Sequence, residues 1–227
     1  MSKFYVPADS AGDWQALLAE PQKHWRTGYS AKSLAYSWTE ANGFPPEVAR
    51  LFDESGHPEL CDLEFLLGFP EHEVPLPGGR RASQNDIFVL ARGASGLVSI
   101  AVEGKVSEPF GPLVSEWIAN PSKGRETRLA FLCDVLGVDR AAVANIRYQL
   151  LHRTASAIIE ARRFHATTAV MLVHSFSQTH EWFDDFAKFA RLYNEDPEPN
   201  SVCKTRAAGD TMLYLAWSVG NEGFLMR

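Results

Sequence analysis

The chain is poor in cysteine, has no long apolar run and carries no glycine-rich phosphate loop, and each absence removes a class of function. Its three cysteines, Cys61, Cys133 and Cys203, lie about 70 residues apart. No CxxC pair and no histidine at ligand spacing accompanies them, so neither a zinc site nor a disulfide framework is expected. No stretch approaches the roughly 18 to 20 uninterrupted apolar residues that cross a bilayer. The opening MSKFYVPADSAGDW has no apolar run behind its single lysine, so neither secretion nor membrane insertion is expected and a reducing, cytoplasmic setting fits. Neither GxxxxGK[ST] nor GxGxxG occurs, which disfavours nucleoside-triphosphate and dinucleotide binding. Repeats, low-complexity tracts and Gly/Ser linkers are missing too. The 227 residues, 45% of them hydrophobic, therefore read as one large domain with a core of its own.

Charge is abundant but uneven. The net charge of −6 argues against a surface coated in nucleic acid, because phosphate binding runs on clustered Lys and Arg. Residues 1–76 carry 5 basic and 12 acidic groups, whereas residues 121–165 carry 8 and 4. That single basic segment, which includes Arg147, Arg153, Arg162 and Arg163, is either a phosphate-facing side or ordinary solvated helix charge.

Apolar spacing predicts short helices over Asp13–Glu20, Pro46–Glu54 and Pro58–Leu67, the last with leucine at 60, 63 and 67. An extended piece, EVPLPGGR, follows, then the hairpin NDIFVLARGASGLVSIAVEGKV. A helix over Arg125–Leu136 ends at Gly137, and a longer one runs from an Asp139 cap to about Arg163. TAVMLVHSF reads as a strand buried on both faces, EWFDDFAKFARLY as an aromatic-faced helix, and MLYLAWSV as a last strand. The order predicts an α/β fold around a mixed sheet, with residues 1–57 a helical extension and residues 58–227 the core.

The hairpin holds the chemistry. Side chains alternate faces along a strand, so Glu103 and Lys105 project together, opposite to Val98, Ile100 and Val102. Gly93 and Gly96 bracket Ala94-Ser95, and a symmetric turn there pairs residues whose numbers sum to 189, which sets Asp86 against Glu103. Like charges so opposed, with Cβ atoms roughly 4.5–5.5 Å apart, are destabilising. Either Lys105 neutralises them as a plain salt bridge, or a hard divalent cation such as Mg²⁺ does. Ser95 lacks the spacing of a nucleophile elbow and reads as turn chemistry. His174 and His180, at the end of the VMLVHSF strand, read as satisfied core or edge residues, and His152 as a polar helix flank.

An aspartate on one strand and E-x-K on the next, set between helices and followed by a buried strand, resembles the PD-(D/E)xK nuclease superfamily. The residues that carry the resemblance are Asp86 and Glu103-Gly104-Lys105, with Asn85 where the eponymous proline would stand. The resemblance spans residues 58–176 or so and implies a restriction-endonuclease-like core ordered αβββαβ. It implies Mg²⁺ or Mn²⁺ held by Asp86 and Glu103, and a catalytic role for Lys105. Some relatives place a further acidic ligand on the first core helix, where Glu64 is the expected match and Glu71 and Glu73 compete. Others place a glutamine and basic residues on the helix after E-x-K, which gives Gln149 and Arg153, with Arg147, as nucleic-acid contacts. The implied partner is nucleic acid, DNA before RNA, and a homodimer is compatible. The competing class is a non-catalytic binding or assembly module that keeps such a core.

Overall fold

Gly93 and Gly96 do pair across the hairpin turn, and the ladder continues to Ile87 opposite Val102 in the expected register. The computed structural model describes residue 8 and residues 10–206 and 209–227. The opening MSKFYVP, read above for a leader, lies outside the described residues. A 3-10 segment, Ala11–Leu17, precedes α1 (Pro21–His24), α2 (Ser30–Ala41) and α3 (Pro46–Asp53). Strands β1 (Glu64–Val74), β2 (Ser83–Gly93) and β3 (Gly96–Lys105) lead to α4 (Val114–Trp117), α5 (Lys123–Leu136) and α6 (Tyr148–Arg163). Then come β4 (Thr168–Ser175), α7 (Phe183–Ala190), β5 (Ser201–Arg206) and β6 (Met212–Val219).

The six strands form one mixed sheet in the order β1-β2-β3-β4-β6-β5. Neighbours β1 to β3 run antiparallel, β3, β4 and β6 run parallel, and β5 lies antiparallel on β6. The chain is thus an α/β protein with a covered sheet, and its central strand β4 is buried along its whole length. On one face Val98, Ile100 and Val102 meet Leu34 and Trp38 of α2 and the residues of α3. On the other, Ala101 meets Leu150, Ala157 and Ile158 of α6, and the Ser99 hydroxyl donates to the Ala157 carbonyl at 2.7 Å. Alternation along β3 therefore sorts apolar residues to the α2 face and leaves Glu103 and Lys105 on the α6 face. Among the described residues no helix is long and apolar enough to cross a membrane.

Three expected helices differ. Asp13–Glu20 is instead the 3-10 segment Ala11–Leu17, followed by bends over residues 18–20. Pro58–Leu67 forms turns up to Asp62, and Glu64 opens strand β1, which pairs with β2 from Glu64↔Arg92 to Val74↔Ser83. Its leucine spacing fits either period at this length, and the long-range pairing with the hairpin decides. The extended piece thus starts earlier than EVPLPGGR, and Pro70 is tolerated because β1 is an edge strand. The long helix after Asp139 is interrupted. Asp139 caps only a 3-10 turn, Arg140–Val143, accepting from the Ala141 N–H. The next backbone groups turn to the 112–115 segment instead: Val114 N–H donates to Ile146 O, and Tyr148 N–H to Pro112 O. Helix α6 starts only beyond that bridge. Helix α2 and strand β5 carry no strong signal of their own and were not expected. Helix α5 matches its expectation, with Ser122 accepting from Arg125 N–H at one end and Gly137 left-handed at the other.

Candidate active site

Strand register brings three carboxylates into one row. The β2–β3 ladder ends at Ile87↔Val102, so Asp86 falls opposite Glu103. At that point a side chain takes over from the backbone, and the Gly104 N–H donates to Asp86 Oδ2 at 2.7 Å. In the β1–β2 ladder the pairs Pro70↔Ile87 and His72↔Asn85 bracket Glu71 opposite Asp86. Glu71 is left-handed, with φ of 52°, a conformation that costs a non-glycine residue about 1–3 kcal/mol. The twist interrupts the alternation. Glu71 lines the cleft with Gln149 and Arg153, while the next residue, His72, also reaches α6 and sets its Nε2 3.6 Å from Glu160.

Helix α6 supplies the cleft's other wall. Arg153 donates from Nε to Glu103 Oε2 at 2.5 Å, and Gln149 donates from Nε2 to Oε1 at 2.7 Å. Lys105 donates to the same Oε1 at 2.6 Å, and its ammonium lies 4.8 Å from the Phe110 ring centre. Four residues separate Gln149 from Arg153, one helical turn, so both reach a single carboxylate. Glu103 and Lys105 form the floor, 2% and 3% exposed. Gln84 donates to Glu71 Oε2 at 2.9 Å. Gln149 Oε1 is buried without a partner among the described residues.

Crowding shifts the proton affinities apart. Burial, then the charge of Glu103, pushes the Asp86 carboxyl up to about 7. Burial, then Asp86, pushes Glu71 up to about 9. Glu103 feels the same burial, but Arg153 and then Lys105 outweigh it and hold its carboxyl below the ordinary range. His152 accepts or donates at Nδ1 to the Ser83 hydroxyl 2.8 Å away. Burial and the nearby cations Arg153, Arg128 and Lys105 hold its pKa well down, so it stays neutral at pH 7. The cleft encloses about 280 Å³, with Leu18, His24 and Ser30 of the amino-terminal segment facing the carboxylates.

Asp86, Glu103, Lys105, Gln149 and Arg153, all singled out from the sequence, therefore converge. Glu64 does not. It is exposed at the start of β1 and paired with Arg92 at 2.5 Å, seven residues and roughly 20 Å along the strand from Glu71. Glu73 is exposed as well. Arg147 stays outside the cleft, donating to Asp185 at 2.8 Å and to Gly111 O, with its guanidinium over Trp182. Gln84 was missed, and Glu71 was passed over for Glu64. Both become visible once EFLLGFPEHEV is read as a strand against β2, because register then sets Glu71 beside Asp86. His174 is fully buried between Trp38 Nε1, which donates to its Nδ1 at 3.0 Å, and Glu47, 3.1 Å from Nε2.

Comparison with curated proteins and with solved structures found no match. Residues 7–222 match a family described as a domain of unknown function, DUF6946. The match spans nearly the whole chain, and the protein belongs to the DUF6946 family.

Proposed function

We propose that the cleft is the active site of a metal-dependent nuclease that hydrolyses phosphodiester bonds, DNA before RNA. One observation carries the reading: Glu71, Asp86 and Glu103 line a single cleft from three adjacent strands, with Lys105 beside them. With α3 counted in place of the helix expected over 58–67, and with α4 and α5 inserted between β3 and α6, the order α3, β1–β3, α6, β4 follows the αβββαβ order that the resemblance implies, and the E-x-K stands on its third strand.

The residues fit a hard divalent cation. All of the donors are oxygens, two of the carboxylates are crowded until they favour a proton, and Gln149 Oε1 is buried without a partner among the described residues. No three His, Cys, Asp or Glu side chains among the described residues stand close enough to hold an ion by themselves. Mg²⁺ needs no such cage, since it keeps several waters and uses one or two carboxylates. Asp86 and Glu103 would hold it, with Glu71 alongside. When bound, such an ion supplies a water of lowered pKa and neutralises charge on the phosphate.

The chain's own residues do the rest. Arg153 and Gln149 fix the Glu103 carboxylate in one orientation, and Lys105 sets a positive charge where negative charge grows on the phosphate. Neutral His152 adds no competing cation. Together these groups hold the acidic row in place and leave Lys105 as the electrostatic partner of the reacting phosphate.

Purified protein incubated with single- and double-stranded DNA and RNA, with Mg²⁺ or Mn²⁺ and with chelator, tests the reading. Cleavage should require the ion and fall by at least about 10²-fold in Asp86→Asn and Lys105→Ala. Cleavage that survives chelator, or that is equal in these variants, would overturn it. A second reading, a binding module without catalysis, is favoured by one observation: both Glu103 oxygens are already occupied by Lys105, Gln149 and Arg153. That reading predicts nucleic-acid binding with no cleavage under any ion.

A further inference from the structure

The cleft adjoins a second cavity whose lining points to the form of the substrate. This neighbour encloses about 860 Å³ and shares His24, Glu108, Pro109, Gln149 and Arg153 with the cleft. Tyr29, Tyr148, Lys23 and Arg26 line it, and Tyr148 already stacks one face on Trp117, with ring centres 4.0 Å apart. Tyr29 is 36% exposed, and apart from Met226 it is the most exposed large apolar side chain among the described residues. The Arg26 guanidinium sits 5.9 Å from its ring centre. The acidic lining residue, Glu108, is tied down, accepting from the Ser30 N–H and hydroxyl and from the Val106 N–H. Among the described residues Lys23 pairs only with exposed Glu20, at 3.0 Å. In a chain of net charge −6, this groove therefore presents cations and aromatic faces together.

We infer that the substrate is a single polynucleotide strand, which lies in this groove with a base against Tyr29 and feeds one phosphate into the cleft. The inference rests on the nuclease reading of the cleft and deepens it. Stacking platforms beside a cationic track are how single strands are held without sequence preference. The floor decides between one strand and two. Glu103 and Lys105 are 2% and 3% exposed, with the amino-terminal segment facing them, so a phosphate must bend inward to reach them. A stacked duplex, stiff over about 150 base pairs, resists such a local bend, and its second strand stays close across a minor groove about 6 Å wide. A single strand turns at one nucleotide.

The test uses a fluorescein-labelled 15-mer as single-stranded DNA, as RNA and as a blunt DNA duplex, followed by cleavage with Mn²⁺ and by anisotropy with the Asp86→Asn protein. At least one single strand should be cut about tenfold or more faster than the duplex. Tyr29→Ala and Arg26→Glu should each weaken strand affinity by about tenfold, with a cooperative thermal melt and an unchanged circular dichroism spectrum showing both variants folded. Cleavage of the duplex as fast as either strand, or affinity unchanged in both groove variants, would overturn the inference while the nuclease reading stands. Strand binding that needs Tyr29, without any cleavage, would keep the groove assignment and overturn catalysis. Neither binding nor cleavage would sink both.

Discussion

At the scale of residues, the acidic row is an electrostatic conflict resolved unequally. Glu103 is neutralised by Arg153 and Lys105, whereas Glu71 and Asp86 keep their conflict and favour the protonated form. The sign of the consequence follows from linkage. A carboxyl whose pKa is raised on folding, to about 9 for Glu71, contributes stability at low pH and loses it as pH rises from its unfolded value through the folded one. In metal-free buffer the wild-type protein should therefore lose thermal stability between pH 5 and pH 9. Glu71→Gln cannot ionise, so its Tm should match wild type near pH 4.5 and exceed it by roughly 2–8 °C at pH 8.5. Thermal melts across that range check this, and parallel curves for the two proteins would contradict it.

Elements obey the same register logic, and their junctions hold less obvious constraints. The loop after β1 docks on the first turn of α5 through two glycines. A Cβ added to Gly124 would come 2.3 Å from Gly78 O, and one added to Gly78, at φ of 83°, would come 2.1 Å from Gly124 O. Gly→Ala in a helix ordinarily stabilises by up to about 1 kcal/mol. Here the sign should reverse. Gly124→Ala should destabilise by about 1–3 kcal/mol, because backbone and not a flexible side chain must give way. Urea unfolding of the variant measures this, and a gain in midpoint would show that the loop moves freely.

For the molecule as a whole, net charge and local field disagree. The −6 total repels polynucleotides at long range, so strand binding must rest on the exposed cations that line the groove, Lys23 and Arg26, because Arg153 is buried against Glu103. For a single strand the logarithmic salt slope is about −0.7 per phosphate neutralised, so two cations imply a slope of roughly −1.4. Anisotropy titrations between 50 and 300 mM salt test that value. A slope near zero would place the strand elsewhere or make its binding non-electrostatic.

Legibility in the sequence followed the range of the interactions. The hairpin was readable because its determinants are local: two glycines set the turn, and a period of two sorts every side chain to its face. Asp86 opposite Glu103, with Lys105 alongside, came from that arithmetic alone. The α5 helix was readable for a like reason, since Gly137 ends it locally, whereas its Ser122 cap emerged only in the structure. Gln149 and Arg153 were named by family resemblance, but their grip on Glu103 spans 46 and 50 residues of chain. Only the packing of α6 on the sheet creates it.

By itself, then, the sequence determined the α/β class, the hairpin register and two of the three carboxylates. Tertiary structure decided the third carboxylate, the break before α6 and the groove. Each of these depends on partners far along the chain. Strand β1 takes its period from pairing with β2, and the start of α6 from hydrogen bonds to residues 112–115. The cleft's outer wall is an amino-terminal segment that meets the sheet only after the chain has folded back on itself.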